Sequence, residues 1–156
     1  MQVTARVDYG VRAVVEIALH TEPTRARDIS ERQGIPARFL EGILLDLARA
    51  DILHARRGPR GGYTLGRPAD RISIADVVRA IDGPLAAVRG LAPEDTSYPA
   101  SSVEIRTLWV ALRASMRVVL EQTSIAMLVA GRFDPTTAQL LESPGAWERR
   151  TDGGGD

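Results

Sequence analysis

The chain has 156 residues, and its 20 basic and 20 acidic side chains give a formal net charge of zero with no cysteine at all. That length allows one domain with an appendage and a modest core, and the missing thiols exclude thiolate metal ligation, disulfide switching and sulfenate sensing. The apolar runs are short and interrupted by charge, so no signal peptide or membrane span is expected and the protein is placed in the cytoplasm.

In chain order, a first helix is expected from about Ala5 to His20, with Val7, Val11, Val14, Val15, Ala18 and Leu19 packing inward. Asp8 and Arg12 on it are spaced for an i,i+4 pair, worth about 0.3 kcal/mol. A turn with Pro23 leads to a short helix over 26–33, which carries Ile29 inward and ends at Gly34, a residue suited to the left-handed cap. Ile35 anchors the turn that follows. From Pro36 onward Phe39, Leu40, Ile43, Leu44 and Leu47 recur at helical spacing, so the opposite face presents Arg38, Glu41, Gly42, Leu45 and Arg49. Two short helices separated by a glycine turn have the spacing of a helix-turn-helix.

A basic hairpin comes next. Strands are expected over Ile52–Arg57 and Tyr63–Arg67, with Gly58-Pro59 and Gly61-Gly62 shaping a tight tip between them. Five arginines (Arg56, Arg57, Arg60, Arg67, Arg71) stand against one acid, Asp70, between His54 and Arg71. Guanidinium groups at such a tip pair with phosphate oxygens or enter a narrow minor groove. A zero net charge does not oppose this, because the salt-sensitive part of affinity depends on the local phosphate contacts. Helix, glycine turn, helix and basic hairpin in succession predict a winged helix-turn-helix, mainly α with a small β wing.

Beyond the hairpin, Ser73 is expected to cap a helix ending near Gly83-Pro84, followed by a loop over 88–100 that is read as mobile. Ser101 and Glu104 are spaced as a capping box for a long helix over about 102–122. Its apolar stripe, Ile105, Leu108, Trp109, Leu112, Met116, Val119 and Leu120, is large for so small a head, so burial against a second copy is expected, with dimer contacts at Leu108, Trp109, Leu112, Met116 and Val119. A shorter helix is expected over 125–130, and a polar tail from Asp134 whose end, 151–156, is expected to be disordered. The organisation is then a winged head over 1–85, a loop over 86–100, dimerisation helices over 101–133 and a tail over 134–156.

Several segments, in the right order, resemble the Rrf-two family of bacterial transcription regulators. They are Asp28-Ile29-Ser30-Glu31-Arg32-Gln33-Gly34-Ile35, the Phe39-Leu40-Glu41 step, Arg57-Gly58-Pro59 with Gly61-Gly62-Tyr63, Ile74-Ala75-Asp76-Val77-Val78 through Ala80-Ile81-Asp82-Gly83-Pro84-Leu85, and Leu108-Trp109. The resemblance runs from about Val3 to Val129 and implies a homodimeric regulator on palindromic double-stranded DNA. Many relatives hold an iron–sulfur cluster through three cysteines in the loop corresponding to 88–100. This chain has none, and Asp8, which aligns with a non-cysteine ligand of some relatives, cannot hold a cluster alone. No cofactor and no metal site are expected, since His20 and His54 have no ligand partners near them in the sequence. A small-molecule effector, a protein partner or no signal at all remain as alternatives, with Tyr98 the candidate ligand contact.

On the reading face the resemblance assigns Arg57 to the minor groove. Arg38 is suited to guanine O6/N7 and Glu41 to a cytosine amino group, while Arg56 and Arg60 suit phosphates. Three departures from the family pattern leave the operator sequence open. Pro36 replaces a capping serine, Gly42 a glutamine, and Asp46, an acid that repels phosphate, a base. Repression is the expected mode, since a dimer across a promoter blocks polymerase. The rival within binding proteins is a winged helix turned to a protein partner. An enzyme has little support: there is no cysteine nucleophile, no phosphate-binding glycine loop and no His-Glu-x-x-His spacing.

Overall fold

The computed structural model describes residues 2–148. Seven helices and one hairpin follow in the order α1 (Ala5–Ala18), α2 (Ala26–Gln33), α3 (Ala37–Arg49), β1 (Leu53–Arg56), β2 (Gly62–Leu65), α4 (Ile74–Asp82), α5 (Glu104–Gln122), α6 (Ile125–Val129) and α7 (Pro135–Leu141). Single 3-10 turns lie at Ala69–Arg71, Pro93–Asp95 and Ala100–Ser102.

The helix boundaries follow from their caps. Thr4 accepts from the Val7 N–H to start α1. Gly34 ends α2 with φ 62°, and its N–H donates to the Ser30 carbonyl. A side chain there would be strained, so glycine is what lets the chain reverse into α3. Ser73 and Asp76 close a reciprocal capping box on α4. The capping box expected at Ser101 and Glu104 does not form: Ser101 lies inside a 3-10 turn, and α5 begins after Val103 with no side-chain cap.

The core lies where α1, α2, α3 and α4 meet the hairpin. Ala13, Val14, Ile29, Ile43, Leu44, Leu47, Ile52, Ile72 and Val77 are fully buried there. Two residues expected inside are outside: Leu19 is 56% exposed at the last turn of α1, and Phe39 is 45% exposed at the first turn of α3. Leu40 takes the inward position, and the turn of about 100° per residue carries Phe39 to the edge of the buried face.

The hairpin pairs antiparallel, with Leu53 opposite Leu65 and Arg56 opposite Gly62. A third short segment joins it, because Thr24 and Tyr63 exchange backbone bonds of 2.9 and 2.8 Å. The strands, Leu53–Arg56 and Gly62–Leu65, leave out Ile52, Arg57, Gly66 and Arg67, although the Gly66 N–H still donates to the Ile52 carbonyl at 2.8 Å.

At the other end, the Ile74 N–H donates to the Thr123 carbonyl and the Ile125 N–H to the Ile72 carbonyl, each at 2.9 Å. These bonds fasten the end of α5 to the head, and Ile125 of α6 is fully buried in the head core. The segment after α5 therefore packs with the head. The 88–100 loop is packed too: Pro93 and Thr96 are buried, and Glu94 accepts from Arg113 of α5 at 2.5 Å. The tail is not uniformly irregular, because Asp134 caps α7 by accepting from the Thr136 and Thr137 N–H groups. The expected disorder over 151–156 lies outside the described residues.

Candidate nucleic-acid interface

The wing tip is closed by the Gly61 N–H donating to the Gly58 carbonyl at 2.8 Å. Gly62 follows with φ 153°, and a Cβ there would sit 2.7 Å from the Thr24 carbonyl oxygen. Only glycine permits this close approach, so it is what admits the third segment to the sheet. Arg56, Arg57 and Arg60 are all exposed, and none is in an ion pair among the described residues. Their charge is therefore uncompensated by the protein. Arg25, at the start of α2, donates to the Pro59 carbonyl at 2.5 Å. Sequence reasoning missed this residue, whose partner is 34 positions away.

Helix α3 turns Arg38, Glu41, Gly42, Leu45 and Arg49 to solvent. The Arg38 guanidinium lies over the Phe39 ring, 4.8 Å from its centroid, so the misassigned phenylalanine holds a base-reading candidate. Pro36 precedes the helix without a side-chain cap, as expected. Glu41 has no ion pair among the described residues, which leaves its carboxylate available. No atom lies within 4 Å of a Cβ built at Gly42, so packing does not demand glycine there. Asp46 differs from the expectation of a bare acid on this face: Arg6 bonds it at 2.7 Å and Arg49 stands 3.6 Å away. Two guanidinium groups thus offset its repulsion of phosphate.

A buried carboxylate ties α1 to the end of α2. Glu16, 5% exposed, accepts from Gln33 at 2.7 Å and from Arg32 at 3.0 Å, with His20 Nε2 3.1 Å away. Burial pushes its pKa up, but the hydrogen bonds from Gln33 and Arg32, with His20 beside them, outweigh this and hold the carboxyl below its ordinary value. Arg12 also reaches Gln33, through its carbonyl and its side chain, besides forming the expected pair with Asp8 at 3.3 Å. The network sets where the helix-turn-helix sits on α1. Both histidines have acidic neighbours that the sequence reading overlooked, Glu16 for His20 and Asp51 for His54 at 2.9 Å.

Away from the wing, a cleft of about 550 Å³ opens between the segment after α4 and the long helix α5. Of the five residues expected at a dimer contact, Trp109, Leu112 and Met116 line this cleft, Val119 is half-buried and Leu108 is 59% exposed. No residue of α5 is fully buried. Val103, Val110 and Val118 stand exposed on other sides of the helix. Tyr98 does not line the cleft: its hydroxyl accepts from Trp109 Nε1 at 3.2 Å, and its ring carries the Arg89 guanidinium at 5.3 Å. Among the described residues no helix is long and apolar enough to cross a membrane.

Comparison with known proteins agrees with this geometry. Residues 3–131 match the family model Rrf2, described as Iron-dependent Transcriptional regulator. Rv1287 of Mycobacterium tuberculosis (strain ATCC 25618 / H37Rv), provisionally named an HTH-type transcriptional regulator, is 42% identical over 150 residues, covering 95% of this chain and 93% of that protein. The HTH-type transcriptional regulator CymR of Bacillus subtilis (strain 168) is 30% identical over 132 residues, covering 83% and 91%. The solved structure of CymR (YrzC), the global cysteine regulator of B. subtilis, superposes with a TM-score of 0.69 at 27% identity, covering 84% of this chain and 98% of that one. T. potens IscR superposes at 0.67 with 26% identity, covering 84% and 88%. The residues present here do not fit an iron centre: there is no cysteine, and no group of three or more His, Asp or Glu among the described residues could hold a metal ion. A glycine-turned helix pair, a wing of unpaired arginines and a match across most of the chain place this protein in the Rrf2 (Rrf-two) family of winged-helix, DNA-binding transcriptional regulators.

Proposed function

We propose that this regulator acts as a homodimer on a palindromic operator, without an iron–sulfur cluster, and represses the genes it covers. The observation that carries the reading is the uncompensated wing, Arg56, Arg57 and Arg60, whose tip the Arg25 bond ties to the start of α2 in the helix-turn-helix. In this reading α3 enters the major groove, where Arg38 reads a guanine and Glu41 a cytosine amino group. Arg57 reaches the adjoining minor groove, and Arg56 and Arg60 hold phosphates. Asp46 is already neutralised by Arg6 and Arg49, which weakens the case for a head turned to protein partners.

The dimer is assigned to α5. A 19-residue helix with no fully buried residue and with Leu108, Val110 and Val118 exposed gains from burial against a second copy. Two-fold symmetry then presents two recognition helices to two half-sites. Sedimentation velocity of the protein alone and on a palindromic duplex tests this. A dimer in both, with Leu108→Arg shifting it to monomer and abolishing operator binding, supports the reading; a monomer that binds a single half-site as tightly as the palindrome rejects it.

A further inference from the structure

The cleft between α5 and the segment after α4 has the composition of a ligand site. Its wall is apolar where Val78, Leu85, Trp109, Leu112 and Met116 meet, and Arg89 is the one cationic residue lining it. The volume of about 550 Å³ falls within the roughly 300–1,000 Å³ typical of small-molecule pockets. Arg89 has no carboxylate partner among the described residues; it rests on the Tyr98 ring and reaches the Ser97 carbonyl only at 3.4 Å. The acid at the cleft, Asp82, is already engaged by the Thr4 hydroxyl at 2.7 Å. Asp82 keeps its charge, but the Thr4 bond occupies one of its oxygens, whereas the Arg89 guanidinium has no charged partner among the described residues.

The backbone that presents Arg89 is itself unusual. Ala86 and Arg89 both adopt φ 54°, a left-handed conformation that costs a non-glycine residue energy, and Gly83 and Gly90 flank them at φ 83° and 79°. Val88 and Leu91 exchange backbone bonds of 2.9 and 3.0 Å that close this turn on itself. The turn's own bonds thus hold a strained segment that brings one arginine into the lining of an apolar cleft. Tyr98 acts behind it, as the platform for the guanidinium and as the acceptor for the Trp109 indole N–H.

We propose that this cleft binds a small amphipathic monocarboxylate, with an apolar, phenyl-sized body against Trp109, Leu112, Met116 and Leu85 and its carboxylate on Arg89. Charge-assisted, two-toothed pairing is what a free guanidinium offers such a group. A ligand seated there bridges the winged head and α5. Given the dimeric reading above, it would bias the angle between the two recognition helices.

The test uses the full-length protein without DNA, so its failure leaves the DNA-binding reading standing. The chain has two tryptophans, and Trp147 is 82% exposed, so Trp147→Phe leaves Trp109 as the reporter in the cleft wall. Fluorescence titration with 3-phenylpropionate is expected to saturate, and 3-phenylpropionamide, its neutral counterpart, to bind about tenfold or more weakly. Arg89→Gln removes that preference while Arg89→Lys keeps part of it, and calorimetry reports the same order. Failure of either compound to saturate overturns the proposal, as does equal binding of acid and amide, or a preference that survives Arg89→Gln. Tighter binding of phenylalanine than of 3-phenylpropionate also overturns it, since Asp82 would then hold an ammonium group.

Discussion

Arg25 and Pro59 join the two halves of the reading head: the guanidinium at the start of α2 donates to the carbonyl at the wing tip across 2.5 Å. The wing is otherwise a two-stranded hairpin, and such hairpins are marginal without further contacts. With the Thr24–Tyr63 bridge, this bond fixes the wing's angle to the helix-turn-helix. Arg25→Ala is therefore expected to weaken operator binding and its dependence on flanking A·T content while leaving the thermal midpoint nearly unchanged. Salt-series anisotropy separates this from a direct contact: an unchanged salt slope marks positioning, whereas a slope reduced by about one marks a lost phosphate.

The proposed reading gives Arg57 and Arg60 different roles although they are three residues apart. Arg57→Ala is expected to weaken binding and relax the preference for A·T-rich flanks, and Arg60→Ala mainly to reduce the salt slope by about one unit. Anisotropy on duplexes with A·T-rich and G·C-rich flanks measures both. Wild-type behaviour in both variants would show that the wing does not touch DNA.

Gly42 occupies an exposed helix interior with open space around it. Gly42→Ala is expected to raise stability by about 0.5–1 kcal/mol, because glycine loses more backbone freedom on folding than alanine. Urea unfolding checks this. A loss of stability would mean that α3 is packed more closely there than its open surroundings indicate. Gly42→Gln, which adds an amide on the DNA side, is expected to change base preference at one position of each half-site.

Glu16 gives the head a pH dependence. Its folded-state pKa lies below its ordinary value, so its contribution to stability is fully present above the unfolded pKa, about 4.3, and is lost as pH falls through that value toward the folded one. Glu16→Gln is expected to cost about 1–3 kcal/mol at pH 7, since it weakens charge-assisted bonds to Arg32 and Gln33 in a buried site. Thermal melts of wild type and variant from pH 7 to 3.5 should converge toward the acid end. A gap independent of pH would show that the ionised carboxylate contributes nothing.

Much of the reading head was legible because its signals are local. Ile29, Gly34, Ile35 and Leu40 lie within a dozen residues, and their burial or left-handed turn follows from helical spacing and one glycine. The contacts that shape the interface were not legible, because they join distant positions: Arg25 with Pro59, Thr24 with Tyr63, Arg6 with Asp46. Phe39 was misplaced because size and apolarity mark a core residue only when phase agrees, and Leu40 held the inward phase. On α5 the apolar stripe was real, but periodicity does not say whether it faces the same chain or a second one. Trp109, Leu112 and Met116 line one cleft with the chain's own 83–89 segment, a juxtaposition of distant positions that helical spacing does not show. The start of α7 was readable after all, since Asp134-Pro135 is a cap followed by proline at the first helical position.

In the proposed function the arginine wing and α3 together select a DNA sequence without any cofactor. Fluorescence anisotropy of the purified, metal-free protein on the DNA upstream of its own gene, against a scrambled duplex and across a salt series, measures it most directly. Tight binding to the upstream DNA, falling steeply with salt and exceeding that to scrambled DNA by about a thousandfold or more, is expected. Equal affinity for both duplexes, or no binding to either, would contradict it.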